Sequence, residues 1–331
     1  MGNRSALKKF IHSSEFYLLI IDIVLVLFLS VFTGGTFLQL TNLRSLVVGY
    51  SALGIIAAGV LVVIISGGID ISFMAIATIA QYAMAQYMLH LGGNFLIIIL
   101  ISIATGVILG CINAILVYHI QAPTLIITLA TMSIFDGLLL WATKGVKLFG
   151  FPSWFASKSD TSIVAIPIGF LVFVFLLTWY ILKFTKMGRK IYAIGGNIEA
   201  ARRMGVNTLG VQLFVYAYVG AIASLGAIVQ CYLIQQVALN DLVGNEMDVI
   251  AMVVLGGVSL SGGKGTVSGT VLGMLLVAIM SNGLTLMGVS SYYQDLVIGS
   301  VILVSFCLTG WKMLQNSKKA NVGGKLEDGK A

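Results

Sequence analysis

The chain has 331 residues, of which 59% are hydrophobic and 9% charged, with a net charge of +7 and a mean hydropathy of +1.03. Soluble globular domains hold roughly 45–50% apolar and about 25% charged residues, so a soluble domain is excluded and an integral membrane protein is expected. Barrel strands alternate in polarity over about ten residues, whereas "LLIIDIVLVLFLSVF" and "IPIGFLVFVFLLTWYIL" are apolar on every face, so the spanning elements are predicted to be helices.

A helix needs about 20 mostly apolar residues to cross a hydrocarbon core about 30 Å thick. Such segments are predicted at 16–33, 45–65, 71–90, 94–117, 123–142, 163–182, 211–233, 246–263, 266–287 and 293–312. The fold class is therefore all-α and polytopic, with ten crossings and both termini on one side. The third and eighth segments, one following the second across "SGGID" and the other short and Gly-rich, are candidates for broken or re-entrant helices, which survive where protein or water satisfies the freed backbone groups. With the N-terminus inside, fifteen Lys and Arg fall on the cytoplasmic side; only Arg44, Lys144, Lys147 and Lys158 fall outside. That asymmetry follows the positive-inside rule and accounts for the basic balance without nucleic acid. Three positive charges precede the first span as in a signal peptide, but no A-x-A-like site follows Phe32, so this span is expected to remain attached.

Within the first span, Asp22 is an acid at membrane depth. Next comes "SGGIDISF", Ser66–Phe73. Asp70 has two open readings: a functional acid, since an ionised group in a membrane is costly unless paired or hydrated, or a cap on the following helix with help from Ser72. Gly67 and Gly68 break the chain before it. Gln81 and Asn113 follow on the third and fourth spans, where Gly106 and Gly110 form a G-x-x-x-G ridge for close helix contact. Asp22 and Asp136 each have two readings, a functional acid or an interhelical hydrogen bond. The outer segment 143–162 holds Pro152, Trp154 and Phe155, either interfacial anchors or part of a docking surface.

The inner segment 183–210 contains "GRKIYAIGGNIEAARRMGVNTLG". Gly195 and Gly196 are read as breaking the chain, Asn197 as an N-cap, and Gly205 as the stop of a two-turn helix. Glu199 lies in its first turn and Arg202 and Arg203 in its last, the order a helix dipole favours. A loop that only sets topology needs the basic residues and neither the paired glycines nor the cap, so a partner-docking helix stands as the alternative. Further on, "VVLGGVSLSGGKGTVSGTVLGMLL" invites a P-loop reading that fails: Lys264 is followed by Gly265, where Ser or Thr is required. What remains is a Gly-rich break, with Gly256, Gly257, Gly262, Gly263 and Gly265 between two helices and Gly269 and Gly273 forming a second G-x-x-x-G ridge. Two Gly-interrupted segments suggest a translocation path between broken helices. Asp70, Ser72, Gln81, Asn113, Gln230 and Asn282 are candidates to line it, and each is also a candidate interhelical hydrogen bond. The tail from Gln315 has no apolar face and is predicted to be disordered.

No catalytic or metal constellation emerges. His12, His90 and His119 lack H-E-x-x-H spacing, Cys111, Cys231 and Cys307 are not spaced for zinc, and no cofactor is expected.

Taken together, "SGGIDIS" at 66–72, "GGNIEAARRMGV" at 195–206 and "VLGGVSLSGGKGTVSG" at 254–269, with "PTLIITLATM" at 123–132, resemble the permease subunits of bacterial ABC importers for monosaccharides. These form the ribose and arabinose permease family, which also includes the autoinducer-2 permeases. The resemblance runs from the first span to about Trp311, and Ile71 and Phe73 depart from the commoner family pattern. It implies a multi-pass protein of the bacterial cell membrane: a cytoplasmic N-terminus at 1–15, one permease domain at 16–312 and a cytoplasmic tail at 313–331. It also implies that Gly195, Gly196, Asn197, Glu199, Ala200, Ala201, Arg202, Arg203 and Gly205 form a coupling helix seated on a cytoplasmic ATPase subunit. The implied partners are that ATPase, an extracytoplasmic sugar-binding protein, a second permease copy or sister permease, and the lipid bilayer. ATP hydrolysis would belong to the partner, and this chain would be no enzyme. An ion-gradient-driven secondary transporter using Asp70 stays open beside this reading, and the sugar itself, pentose, hexose or autoinducer-2, is left unassigned.

Overall fold

The computed structural model describes residues 14–290, 292–294, 296–301 and 303–304. The expected tail at 313–331, residues 1–13 with His12, and the last span from 305 onward with Cys307 lie outside the described residues.

Helices carry most of the described chain, and among the described residues the isolated β-bridge is the pair Leu148 and Val237. In order come α1 (Ser14–Phe32), a 3₁₀ turn at Thr36–Leu38, α2 (Leu40–Ile65), α3 (Phe73–Leu91), α4 (Phe95–Ile120) and α5 (Thr124–Thr143). The four-residue α6 (Ser153–Ala156) precedes α7 (Ser162–Phe184), α8 (Lys186–Gly196), α9 (Ile198–Arg203), α10 (Thr208–Ile234), α11 (Glu246–Leu255) and α12 (Val267–Leu286).

Among the described residues seven helices are long and apolar enough to cross a membrane: α1, α2, α4, α5, α7, α10 and α12. The chain is thus an all-helical, polytopic membrane protein. Two of the ten expected crossings take another form. At about 28 Å, the 19-residue α3 is long enough to span, but Gln81, Tyr82, Gln86, Tyr87 and His90 lower its hydropathy, and most of it is buried inside the protein. Helix α11 has ten residues, about 15 Å, half the core thickness. The segment at 246–263, a candidate for a broken helix, is a half-length helix followed by the glycine-rich break.

Two helices form the centre. Within the apolar stretch of α2, 78% of residues are buried inside the protein, and within α10 72%, against 11% for α1. Small residues allow this approach: a Cβ on Gly59 would lie 3.1 Å from Ile222 Cβ, and one on Gly226 2.9 Å from the Ala52 carbonyl. Gly106 of α4 and Gly220 of α10 press on each other's carbonyls, and Gly110 presses on the carbonyl of Tyr216. The peripheral helices keep broad apolar faces outward, as lipid-facing helices do.

Polar residues terminate the helices. Asn94 caps α4 by accepting from Ile97 N at 3.1 Å, Asn207 caps α10 by accepting from Gly210 N at 3.0 Å, and Thr266 caps α12 by accepting from Gly269 N at 3.1 Å. Such caps satisfy N–H groups that a helix start leaves unpaired. In the 144–161 connection, Phe155 is neither a lipid anchor nor a free docking surface. It is 1% exposed and meets Phe151 and Tyr232 edge-on. Lys158 donates to the Leu233 carbonyl at 2.9 Å, placing a cation at the C-terminus of α10 where the helix dipole favours it.

Candidate functional site

The segment singled out in 183–210 folds as a pair of helices. Thr185 starts α8 by accepting from Gly188 N at 3.1 Å, and α8 turns Ile191 and Ile194 inward while Arg189 and Lys190 face out. Asn197 then leaves helical geometry with φ −162° and caps α9, accepting from Ala200 N at 2.9 Å. At the other end Gly205 adopts φ +80°, Val206 N donates to the Ala201 carbonyl at 3.1 Å, and Gly205 N donates to Arg202 O at 3.0 Å. That pair of bonds is a Schellman stop, which needs a residue without a Cβ in the left-handed position. Ala201 is buried beneath the helix, while Glu199, Ala200, Arg202 and Arg203 point outward; Glu199 and Arg202 form a 3.3 Å ion pair. The outer face of α9 is thus exposed, polar and charged on both signs.

Gly195 and Gly196 lie within a helix and not at a break. They are the last residues of α8, and the chain turns at Asn197. Gly195 is needed for proximity: a Cβ there would collide with the Ile65 carbonyl and lie 2.6 Å from Gly263 N. Gly263 N itself donates to that Ile65 carbonyl at 2.8 Å. A Cβ on Gly262 would fall 2.7 Å from both Gly67 Cα and the Gly195 carbonyl. Three glycine-rich segments, far apart in sequence, therefore meet backbone to backbone where α2 ends, α8 ends and the 256–266 break reaches α12. Tyr192 fastens the same place by donating to the Gly265 carbonyl at 2.8 Å. On the far side of that break, Gly269 presses on the Gly256 carbonyl and Gly273 on the carbonyl of Met252.

From this junction the chain passes through 68–72 into α3. Asp70 is 1% exposed; its Oδ1 accepts from Ser72 N at 2.8 Å and from Ser72 Oγ at 2.6 Å, and Asn113 Nδ2 donates to Ser72 Oγ at 2.6 Å. This arrangement ties α4 to the start of α3. Asp70 Oδ2 and Asn113 Oδ1 make no hydrogen bond. The backbone beside Asp70 is held by two residues that spacing could have flagged but that were not singled out: Thr124 Oγ1 accepts from Ile69 N at 2.9 Å, and Thr128 Oγ1 from Ile71 N at 3.3 Å. Their i, i+4 separation places both hydroxyls on one face of α5.

Beside the junction lies a cavity of about 280 Å³, walled by Ser66 to Gly68, Thr124, Ile194 to Ile198, Gln212, Tyr216 and Ser261. Tyr216 and Gln212 of α10, also unanticipated, place their polar atoms here.

Over residues 42–306 the sequence matches the family described as branched-chain amino acid transport system / permease component. The chain belongs to this permease family. The permease is similar to the ribose import permease protein RbsC of Escherichia coli K12, with 34% identity over 81% of this chain and 85% of the relative. It also resembles the galactose/methyl galactoside import permease protein MglC of Salmonella typhimurium, 31% identical over 88% of this chain and 92% of the relative. The autoinducer 2 import system permease protein LsrC of Photorhabdus luminescens is 33% identical over 77% of this chain and 78% of the relative. No solved structure matches the chain.

The remaining polar candidates of the permease are scattered. Gln81 is fully buried on α3 and donates to the Ala227 carbonyl of α10 at 3.2 Å. Gln230 is half-buried further along α10. Asn282 is remote from Asp70: its amide exchanges reciprocal hydrogen bonds of 2.9 and 3.1 Å with Asn42, joining α12 to α2. Asp22 is buried on α1, with neither carboxylate oxygen hydrogen-bonded, and Asp136 is half-buried on α5.

Proposed function

We propose that this permease is the membrane subunit of an ABC importer for a monosaccharide or a monosaccharide-like signal. Its cargo would be delivered by an extracytoplasmic binding protein, and its transport would be driven by a separate cytoplasmic ATPase subunit. Similarity over most of the chain to permeases for ribose, galactose and autoinducer 2 carries this reading. The chain is a transport component of the bacterial cell membrane, and the chemistry of ATP belongs to its partner.

In this reading α8 and α9 lie on the cytoplasmic side with both termini, and the chain makes ten passes, counting α3 and the broken α11 segment. Helix α9 is the coupling helix. Its outer face offers one carboxylate and two guanidinium groups to a cleft on the ATPase, while Gly195 carries its displacement into α2 and the 256–266 break. Two permease chains, identical or sister, complete the passage. Asp70, Ser72, Asn113, Gln81 and Gln230 serve it from the α3, α4 and α10 side.

The test is ATP-driven uptake by the permease reconstituted with its ATPase and binding protein, in vesicles lacking any ion gradient. Uptake that needs ATP and survives collapse of all gradients supports the proposal; uptake that follows a gradient without ATP would replace it with a secondary transporter.

A further inference from the structure

The cavity beside the glycine junction has the chemistry of a ligand site, and nothing in the coupling role of α9 requires it. Tyr216 is 2% exposed and lines this space; its hydroxyl, with Thr124 as its side-chain neighbour, makes no hydrogen bond of regular geometry. A Cβ on Gly68 would lie 3.1 Å from that hydroxyl, so the glycine leaves the tyrosine head uncovered. Gln212 Oε1, one turn earlier on α10, also lines the cavity, buried and without a partner. Leaving buried donors and acceptors unmade is costly, so an occupant with its own hydroxyls or amides is expected here.

The walls define the class of occupant. Among the described residues no carboxylate, ammonium, guanidinium or imidazole lines the cavity, which disfavours an ion or a phosphorylated ligand, since a buried charge requires a partner. A tyrosine hydroxyl, an amide oxygen, serine and threonine hydroxyls and glycine backbone suit a neutral polyhydroxyl molecule. The volume of about 280 Å³ lies just below the roughly 300–1,000 Å³ of pockets for drug-sized ligands and far above the ≈ 30 Å³ share of one water. The exposed rim residues Asn197, Ile198 and Ser261 leave a mouth on the α8–α9 side.

We propose that this cavity is a monosaccharide subsite, organised by Tyr216 and Gln212, that holds the sugar beside the coupling helix before release. The assignment rests on the permease reading. Because Gly195 to Ile198 form part of the wall, displacement of α9 alters the site, and by linkage an occupant biases the position of α9.

The experiment uses the full transporter in proteoliposomes, with Cys111, Cys231 and Cys307 replaced and Ser261→Cys as the only thiol. Labelling by a thiol reagent is timed with and without millimolar pentoses and hexoses, and ATP-driven import of the same sugars is measured in the same vesicles. The proposal predicts that an imported sugar slows labelling several-fold. It also predicts that Tyr216→Phe, which keeps the ring, removes this protection without changing thermal stability. Import with no protection by the imported sugar overturns the subsite and leaves the permease intact. Protection without ATP-driven import supports the subsite and removes the importer reading, and absence of both removes the two together.

Discussion

Gly263 donates its backbone N–H to the Ile65 carbonyl at 2.8 Å, and Gly195 rests against that same carbonyl so closely that no side chain fits between them. One backbone oxygen at the end of α2 thereby joins the glycine-rich break to the helix pair of the 183–210 segment.

Gly195→Ala forces the three backbones apart, an overpacking that costs about 1–3 kcal/mol. Gly196→Ala, one residue on, meets nothing within 4 Å and gains helix propensity of up to about 1 kcal/mol. Thermal unfolding in mild detergent is expected to show a lowered midpoint for the first variant and an unchanged or raised one for the second. Equal effects would mean that proximity is not what Gly195 provides.

Much of this architecture was legible in the sequence. Apolar runs gave the class and most of the helices, because in a bilayer only helices and closed barrels satisfy their backbone. Asn197 and Gly205 bounded α9 because capping is local chemistry. Helix α8 was missed because "KMGRKIYAIGG" is short and mixed in polarity, and its glycines read as a break when Gly195 serves a contact across the fold. The meeting of Gly67, Gly195 and Gly262 is a product of tertiary packing, and no spacing along the chain encodes it. For the same reason Tyr216 and Gln212 carried no sequence signal, nor did the pairing of Asn282 with Asn42.

Glu199 and Arg202 are more than half exposed, and exposed pairs contribute roughly 0.2–1 kcal/mol. Glu199→Lys and Arg202→Glu are therefore expected to leave membrane insertion and thermal stability unchanged while abolishing uptake. Normal transport in both variants would remove α9 from coupling.

Interhelical hydrogen bonds in membranes average about 0.6 kcal/mol and reach about 1.7. A double-mutant cycle of Asn42→Leu and Asn282→Leu is expected to return a coupling energy in this range, with sugar selectivity unaltered. A shift in selectivity from Asn282→Leu alone would return that residue to the pathway.

Thr124→Val and Thr128→Val remove the hydroxyls that accept from Ile69 N and Ile71 N. A part-buried N–H left unpaired costs about 1–3 kcal/mol, so each variant should unfold earlier than the parent. The loss should be larger for Thr124, whose bond is shorter. No change in either would show that these hydroxyls do not hold the Asp70 segment.

The central claim is tested most directly by isolating the tagged permease from its native membranes in mild detergent, identifying the chains that accompany it by mass spectrometry, and assaying the complex for ATP hydrolysis. The account predicts an associated ATPase subunit that is lost when Glu199 is replaced by Lys. A permease that remains without an ATPase in several gentle detergents, yet still moves sugar in vesicles under an ion gradient, would contradict it.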